Sequence, residues 1–197
     1  MTTQTPKIAI ILSTTRDSRW GENPANWIKE KIDSDGRMSA DILDLKDYDL
    51  PFFNEPASNR WMPSQDPKAV KWQEDLAGYD GFVFVVAEYN HSISGALKNA
   101  LDQAFNEWNS KPAAVVGYGG TGAARAVEHL RLIAVELRMV NVASAVHLGG
   151  GEFIKAHPMG AGEGMGVVDE VLAPSAAGMI DELYWWADLL KGARAAG

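Results

Sequence analysis

The sequence predicts an α/β chain, a doubly wound sheet of five parallel strands with helices on both faces. Three observations carry that reading. Short, nearly unbroken apolar runs at Lys7–Leu12, Gly81–Val86 and Pro112–Gly117 suit strands buried on both sides. Segments of helical period separate these runs, and alternating strands and helices build parallel βαβ units. No internal repeat or long linker divides the 197 residues, so residues 1–197 read as a single domain.

The elements follow in order. Lys7–Leu12 is the first strand, and a polar loop, Ser13 to Gly21, leads from it into a helix. In that helix Ala25, Ile28 and Ile32 share a face, Asn23 is the candidate cap, Pro24 takes the first helical position, and Gly36 closes the unit. Ser39–Leu45 alternates and reads as the second strand. Tyr48 to Pro67, with four prolines among aromatic residues, reads as a loop long enough to serve function or an interface. Ala69–Leu76 is a short helix and Gly81–Val86 the third strand, followed by a helix over Ser94–Trp108. Pro112–Gly117 is the fourth strand, Thr121–Met139 a long helix and Asn141–Leu148 the fifth strand. Gly149–Gly166 is glycine-rich, a connector or a mobile lid, and Asp169–Leu190 is the last helix.

Composition limits the function. Apolar residues make 46% of the chain and charged residues 22%, a globular balance. With no cysteine there is no disulfide, thiolate metal site or cysteine nucleophile. The start, Met1 to Lys7, lacks the apolar core of a secretory signal, and no apolar run approaches the ~20 residues that span a bilayer. A soluble, cytoplasmic protein is expected, without membrane partners. The net charge of −8 argues against a nucleic-acid surface. Seven tryptophans serve either core and interface packing or the walls around a flat ligand.

In an open α/β sheet the ligand lies beyond the carboxyl ends of the strands, where strand order switches. Three loops at that edge are chemically distinctive. The first, Ser13 to Gly21, offers hydroxyls, two guanidinium groups and the free amides of a coming helix, a cradle for an anion. It carries neither G-x-G-x-x-G nor G-K-[ST], which favours a monophosphate; a capping loop with solvent-facing arginines is the alternative. The second, Ala87 to Gly95, is polar with one aromatic, a wall for a flat heterocycle. His91 has no second histidine at a ligand spacing, so no metal site is expected. The third, Gly117 to Gly122, lets backbone approach closely, and Tyr118 can stack or hydrogen-bond.

At these loops the chain resembles the NADPH-dependent FMN reductase family, which has the flavodoxin-like fold. The family carries G-S-x-R, then P-E-Y-N-x-S-x-P-G-x-L-K-N-A-L-D, then S-Y-G-G-x-G-G-x-R-A. Here these stand as STTRDSR at Ser13–Arg19, AEYNHSISGALKNALD at Ala87–Asp102 and GYGGTGAARA at Gly117–Ala126. The resemblance spans residues 7–148. It implies FMN as cofactor and NADPH or NADH as hydride donor. Thr14, Arg16 and Arg19 would hold the FMN phosphate, with amides near Trp20. Glu88, Tyr89 and Asn90 would lie along the isoalloxazine, with His91 beside them and Ala87 opening the loop. Tyr118, Gly119 and Gly120 would contact the ring from the third loop. Three positions depart from the pattern: Ser13 stands for glycine, and Ala87 and Ser94 for proline. Ala87 is expected to loosen its loop, and Ser13 to alter the phosphate loop because it takes positive φ less freely than glycine.

The resemblance implies an oxidoreductase that passes a hydride from NAD(P)H through flavin to a small acceptor: a quinone, azo dye, metal oxyanion or free flavin. The flavin does the chemistry, and no side chain is assigned as catalytic. Arg125 is a candidate for an NADPH phosphate, or a surface arginine in a helical ion pair. The resemblance also implies a homodimer with the flavin near its interface, which gives Trp61 a purpose. Two alternatives stand beside it: a flavodoxin-like electron carrier, and a binding module whose flavin site has weakened. A serine hydrolase is disfavoured, since no G-x-S-x-G is present.

Overall fold

A computed structural model of the chain describes residues 5–196. The strands β1 (Lys7–Leu12), β2 (Ser39–Asp44), β3 (Gly81–Ala87) and β4 (Pro112–Tyr118) are parallel, and β5 (Val140–Asn141) and β6 (Val146–Leu148) both pair with β4. Across the sheet the order is β2-β1-β3-β4-β5, the flavodoxin-like order in which β1 and β3 flank the switch point.

Successive strand side chains point to opposite faces, and both faces are buried, which is why the runs are apolar throughout. Ile8, Ile10, Leu12, Val83 and Val85 join one core with the helices α1 (Glu22–Asp35) and α7 (Asp169–Ala196). Ala9, Ile11, Phe82 and Phe84 join the other, under α3 (Pro67–Ala77), α4 (Gly95–Asp102) and α5 (Ala124–Glu136). Trp72 and Trp108 are fully buried there.

Several elements differ from the sequence reading. Helix α1 begins at Glu22, so Pro24 is its third residue, and Asn23 does not cap it but donates Nδ2 to Trp20 O at 3.1 Å. The turn before α1 needs Gly21, because a Cβ there would lie 2.6 Å from Tyr118 Oη. The helix at Ser94 stops at Asp102; Ala104, Phe105 and Trp108 are still buried, but on turns, as the Gln103 side chain leaves to donate to Pro51 O. The fifth strand is broken after Asn141, where the Ala143 and Ser144 amides turn to the Glu182 carboxylate on α7 at 2.8 and 2.9 Å. Residues 45–48 form a one-turn helix, α2 (Leu45–Tyr48), and the loop beyond is pinned to α4 by Asn99, which bonds Pro51 O and Phe53 N. The glycine-rich stretch contains α6 (Gly150–Ala156) and a 3-10 turn at Met165–Val168. No helix among the described residues is long and apolar enough to cross a membrane.

Candidate functional site

The three loops meet at the carboxyl edge of β1, β3 and β4. Their meeting is fixed from below. Ser13 Oγ donates to Val85 O at 2.6 Å, and Ser94 Oγ donates to Ser13 O at 2.7 Å while accepting from Leu97 N at the start of α4. Ser13 is fully buried and keeps negative φ, so this position does not use the conformation that only glycine takes freely. Ala87 ends β3 in register with Tyr118 and packs in the core, so the sheet holds it.

In the first loop Thr14 is buried, its Oγ1 3.4 Å from Tyr118 Oη. Arg19 departs from the sequence reading. Its Nε donates to Glu22, Nη1 to Thr14 O and Asp44, and Nη2 to Glu22 and Asp44. All five guanidinium N–H groups are therefore committed, and none remains for a phosphate. The bond to Asp44 raises the Arg19 pKa further, so it stays charged. Arg19 is a strut that holds the loop backbone. Arg16 differs: among the described residues it forms no ion pair, and its guanidinium lies 5.5 Å from the centroid of the Tyr89 ring. The amides of Thr15, Arg16, Asp17 and Ser18 also have no acceptor among the described residues. Trp20 presents backbone to the loop, while its indole is buried against Tyr118, Phe153 and His157 at centroid distances of 5.8, 5.9 and 5.2 Å.

The second loop is a tight turn. Tyr89 N donates to Ser92 O and Ser92 N to Tyr89 O, with Asn90 and His91 at φ 49° and 74° between them. Such a turn favours Asn-Gly, and holding His91 at positive φ stores strain at the site. The Tyr89 hydroxyl is buried and has no hydrogen-bond partner. Glu88 turns to the third loop instead of outward: its carboxylate accepts from Thr121 Oγ1 at 3.2 Å, Arg125 N at 3.3 Å and the Arg125 guanidinium. These bonds, the ion pair foremost, hold its pKa below the usual carboxylate range. His91 lies 5.8 Å from His129, whose Nδ1 is 2.9 Å from Ser92 Oγ.

In the third loop Gly119 N donates to Leu148 O, and Gly120 O accepts from Gly150 N, leaving Gly120 itself exposed. A cleft of about 480 Å³ is bordered by Thr15 of the first loop, Lys46, Phe52, Gly95 and Asn99.

Of the residues named from sequence, Thr14, Arg16, Tyr89, Tyr118, Gly119 and Gly120 converge. Arg19 and Glu88 serve as braces. Sequence reasoning missed Asp44, Phe153 and His157, which no local motif marks, and gave no role to Thr121 within the third motif. The set fits FMN on geometry alone: an uncommitted cation and free amides for a phosphate, and an orphaned hydroxyl whose burial without a partner costs about 1–3 kcal/mol.

The comparisons agree. The profile described as NADPH-dependent FMN reductase matches residues 6–152. The chain is 36% identical over 128 residues to an NAD(P)H-dependent FMN reductase of Nectria sp, covering 61% of this chain and 63% of that protein, and so less than two thirds of the relative's length. It is 35% identical over 143 residues to one from Schizosaccharomyces pombe, covering 68% of each. Among solved structures, the flavoenzyme NAD(P)H:(acceptor) oxidoreductase FerB of Paracoccus denitrificans superposes with a TM-score of 0.68 at 24% identity, over 93% of this chain and 97% of that one, a likeness of fold. With three family motifs in order on one sheet edge and a match over residues 6–152, the chain belongs to the NADPH-dependent FMN reductase family.

Proposed function

We propose that this protein is an FMN-dependent oxidoreductase that takes a hydride from NADPH or NADH and delivers it to a small acceptor such as a quinone, azo dye, metal oxyanion or free flavin. The observation that carries the reading is the pairing at the switch point of an uncommitted Arg16 with a Tyr89 whose buried hydroxyl lacks a partner. Relatives described as FMN reductases and as quinone reductases support it. Bound flavin supplies hydride acceptance and release, and the protein supplies position and electrostatics.

In this reading Arg16 and the loop amides hold the phosphate, and Arg19 keeps that loop in shape. Tyr89 and the Asn90-His91 turn form one wall, Tyr118 and Gly119-Gly120 the other, and Glu88 fixes the gap between them. Arg125 is engaged by Glu88, which favours the bracing role over an NADPH phosphate contact. The test is the decay of NAD(P)H absorbance with a small quinone, with and without added FMN. FMN-dependent turnover supports the reading, and no turnover with either nicotinamide and loaded flavin contradicts it.

The same proposal takes residues 1–197 as one domain, places it in the cytoplasm with the intracellular nicotinamide pool, and pairs two copies. Support for the pairing is the exposure of large apolar side chains, among them Phe52, Trp61 and Met62 in the loop after α2 and Leu132 and Val135 on α5. A monomeric mass in solution contradicts it.

A further inference from the structure

Residues beyond 152 lie outside the family match, yet they are built against the phosphate loop. The His157 amide closes α6 on Phe153 O at 2.9 Å, and the His157 carbonyl accepts from Gly160 N at 2.8 Å and Gly162 N at 3.1 Å. The chain then runs back beside α6, with Ala161, Glu163 and Gly164 donating to Ile154, Lys155 and Ala156 carbonyls. The return demands Gly160, since a Cβ there would sit 2.0 Å from Ile154 O. Backbone bonds therefore fix the main-chain position of His157.

Its ring lies against Trp20 at 5.2 Å and Phe153 at 4.7 Å between centroids, and Trp20 stands at the end of the loop that carries Arg16. The Met159 amide donates to Nδ1 at 3.1 Å, so the neutral ring carries its proton on Nε2. Nε2 makes no hydrogen bond among the described residues. We propose that His157 is a phosphate-binding residue of this site, donating from Nε2 to the FMN phosphate held by Arg16. The inference rests on the FMN reading and adds to it a ligand from a segment the family match does not reach. Burial, and then the charge of Arg16, lower the His157 pKa.

The test compares FMN with riboflavin, which differ by the phosphate alone, titrated into the purified, flavin-free full chain and followed by flavin fluorescence. His157→Phe keeps an aromatic on Trp20 and removes the donor; His157→Gln keeps a donor. The expected result is an FMN Kd about tenfold weaker in His157→Phe with the riboflavin Kd unchanged, and recovery of most of that loss in His157→Gln. An unchanged FMN Kd in His157→Phe, or an equal loss for both flavins, overturns the inference while leaving the cofactor reading in place. A wild-type chain that does not distinguish FMN from riboflavin overturns the phosphate site itself, and the role of His157 with it.

Discussion

The Ser94 hydroxyl donates to the carbonyl of Ser13 across 81 residues of chain, at 2.7 Å and in full burial. Both serines stand where the family pattern has other residues, and each accommodates the other. Ser13 anchors the first loop to β3 through Val85, and Ser94 ties that anchor to the start of α4.

Ser94→Ala removes both a helix cap and this tie. The expected cost is about 1–2 kcal/mol of unfolding free energy, read from urea denaturation. A variant as stable as the parent means that the two serines coexist without supporting one another.

Arg16 and Arg19, three residues apart, separate in effect. Arg16→Ala weakens FMN binding by roughly 1.5–3 kcal/mol and leaves stability unchanged, as expected of a charge-assisted bond to a ligand. Arg19→Ala strips partners from Asp44 and from the Thr14 carbonyl, and lowers stability by roughly 1–3 kcal/mol before any question of ligand arises. Paired urea and FMN titrations read both. The same phenotype for the two variants contradicts the division.

Glu88 reaches from the second loop to Thr121 of the third and Arg125 at the start of α5, with only 8% of its side chain exposed. Glu88→Ala unties the second loop from the third, so FMN affinity falls by about tenfold and the absorbance of bound flavin shifts toward that of free flavin. Unaltered affinity and spectrum remove Glu88 from the account.

Lys111, at the opposite end of β4, is buried with its ammonium on Leu76 O at 3.0 Å, and burial lowers its pKa to about 8. Between about 8 and the ordinary lysine value of 10.5 the unfolded chain holds more protons than the folded one. Stability therefore rises with pH through that window. The raised pKa values of Tyr48 and Tyr79 act the other way above pH 10, so the rise is cleanest from 8 to 10. In Lys111→Met the slope flattens over that range in urea titrations; an unchanged slope contradicts the assignment.

What the sequence made legible follows from the range of the forces involved. KIAIIL and GFVFVV announce buried strands by their own composition, and three loop motifs imply a flavin edge through their resemblance to the family. The role of Arg19 was hidden because its partner Asp44 is 25 residues away on β2. The break in the fifth strand depends on Glu182, 38 and 39 residues downstream on another helix. The segment around His157 reads as flexible by its glycines, yet Gly160 is there because the return past Ile154 leaves no room for a side chain.

The most direct test of the central claim is an absorbance spectrum of the purified protein titrated with FMN and then with NADPH or NADH under anaerobic conditions. The account predicts flavin bands that shift on binding and bleach when the nicotinamide is added. Binding without bleaching by either nicotinamide contradicts the reductase and favours an electron carrier; no binding contradicts the flavin site itself.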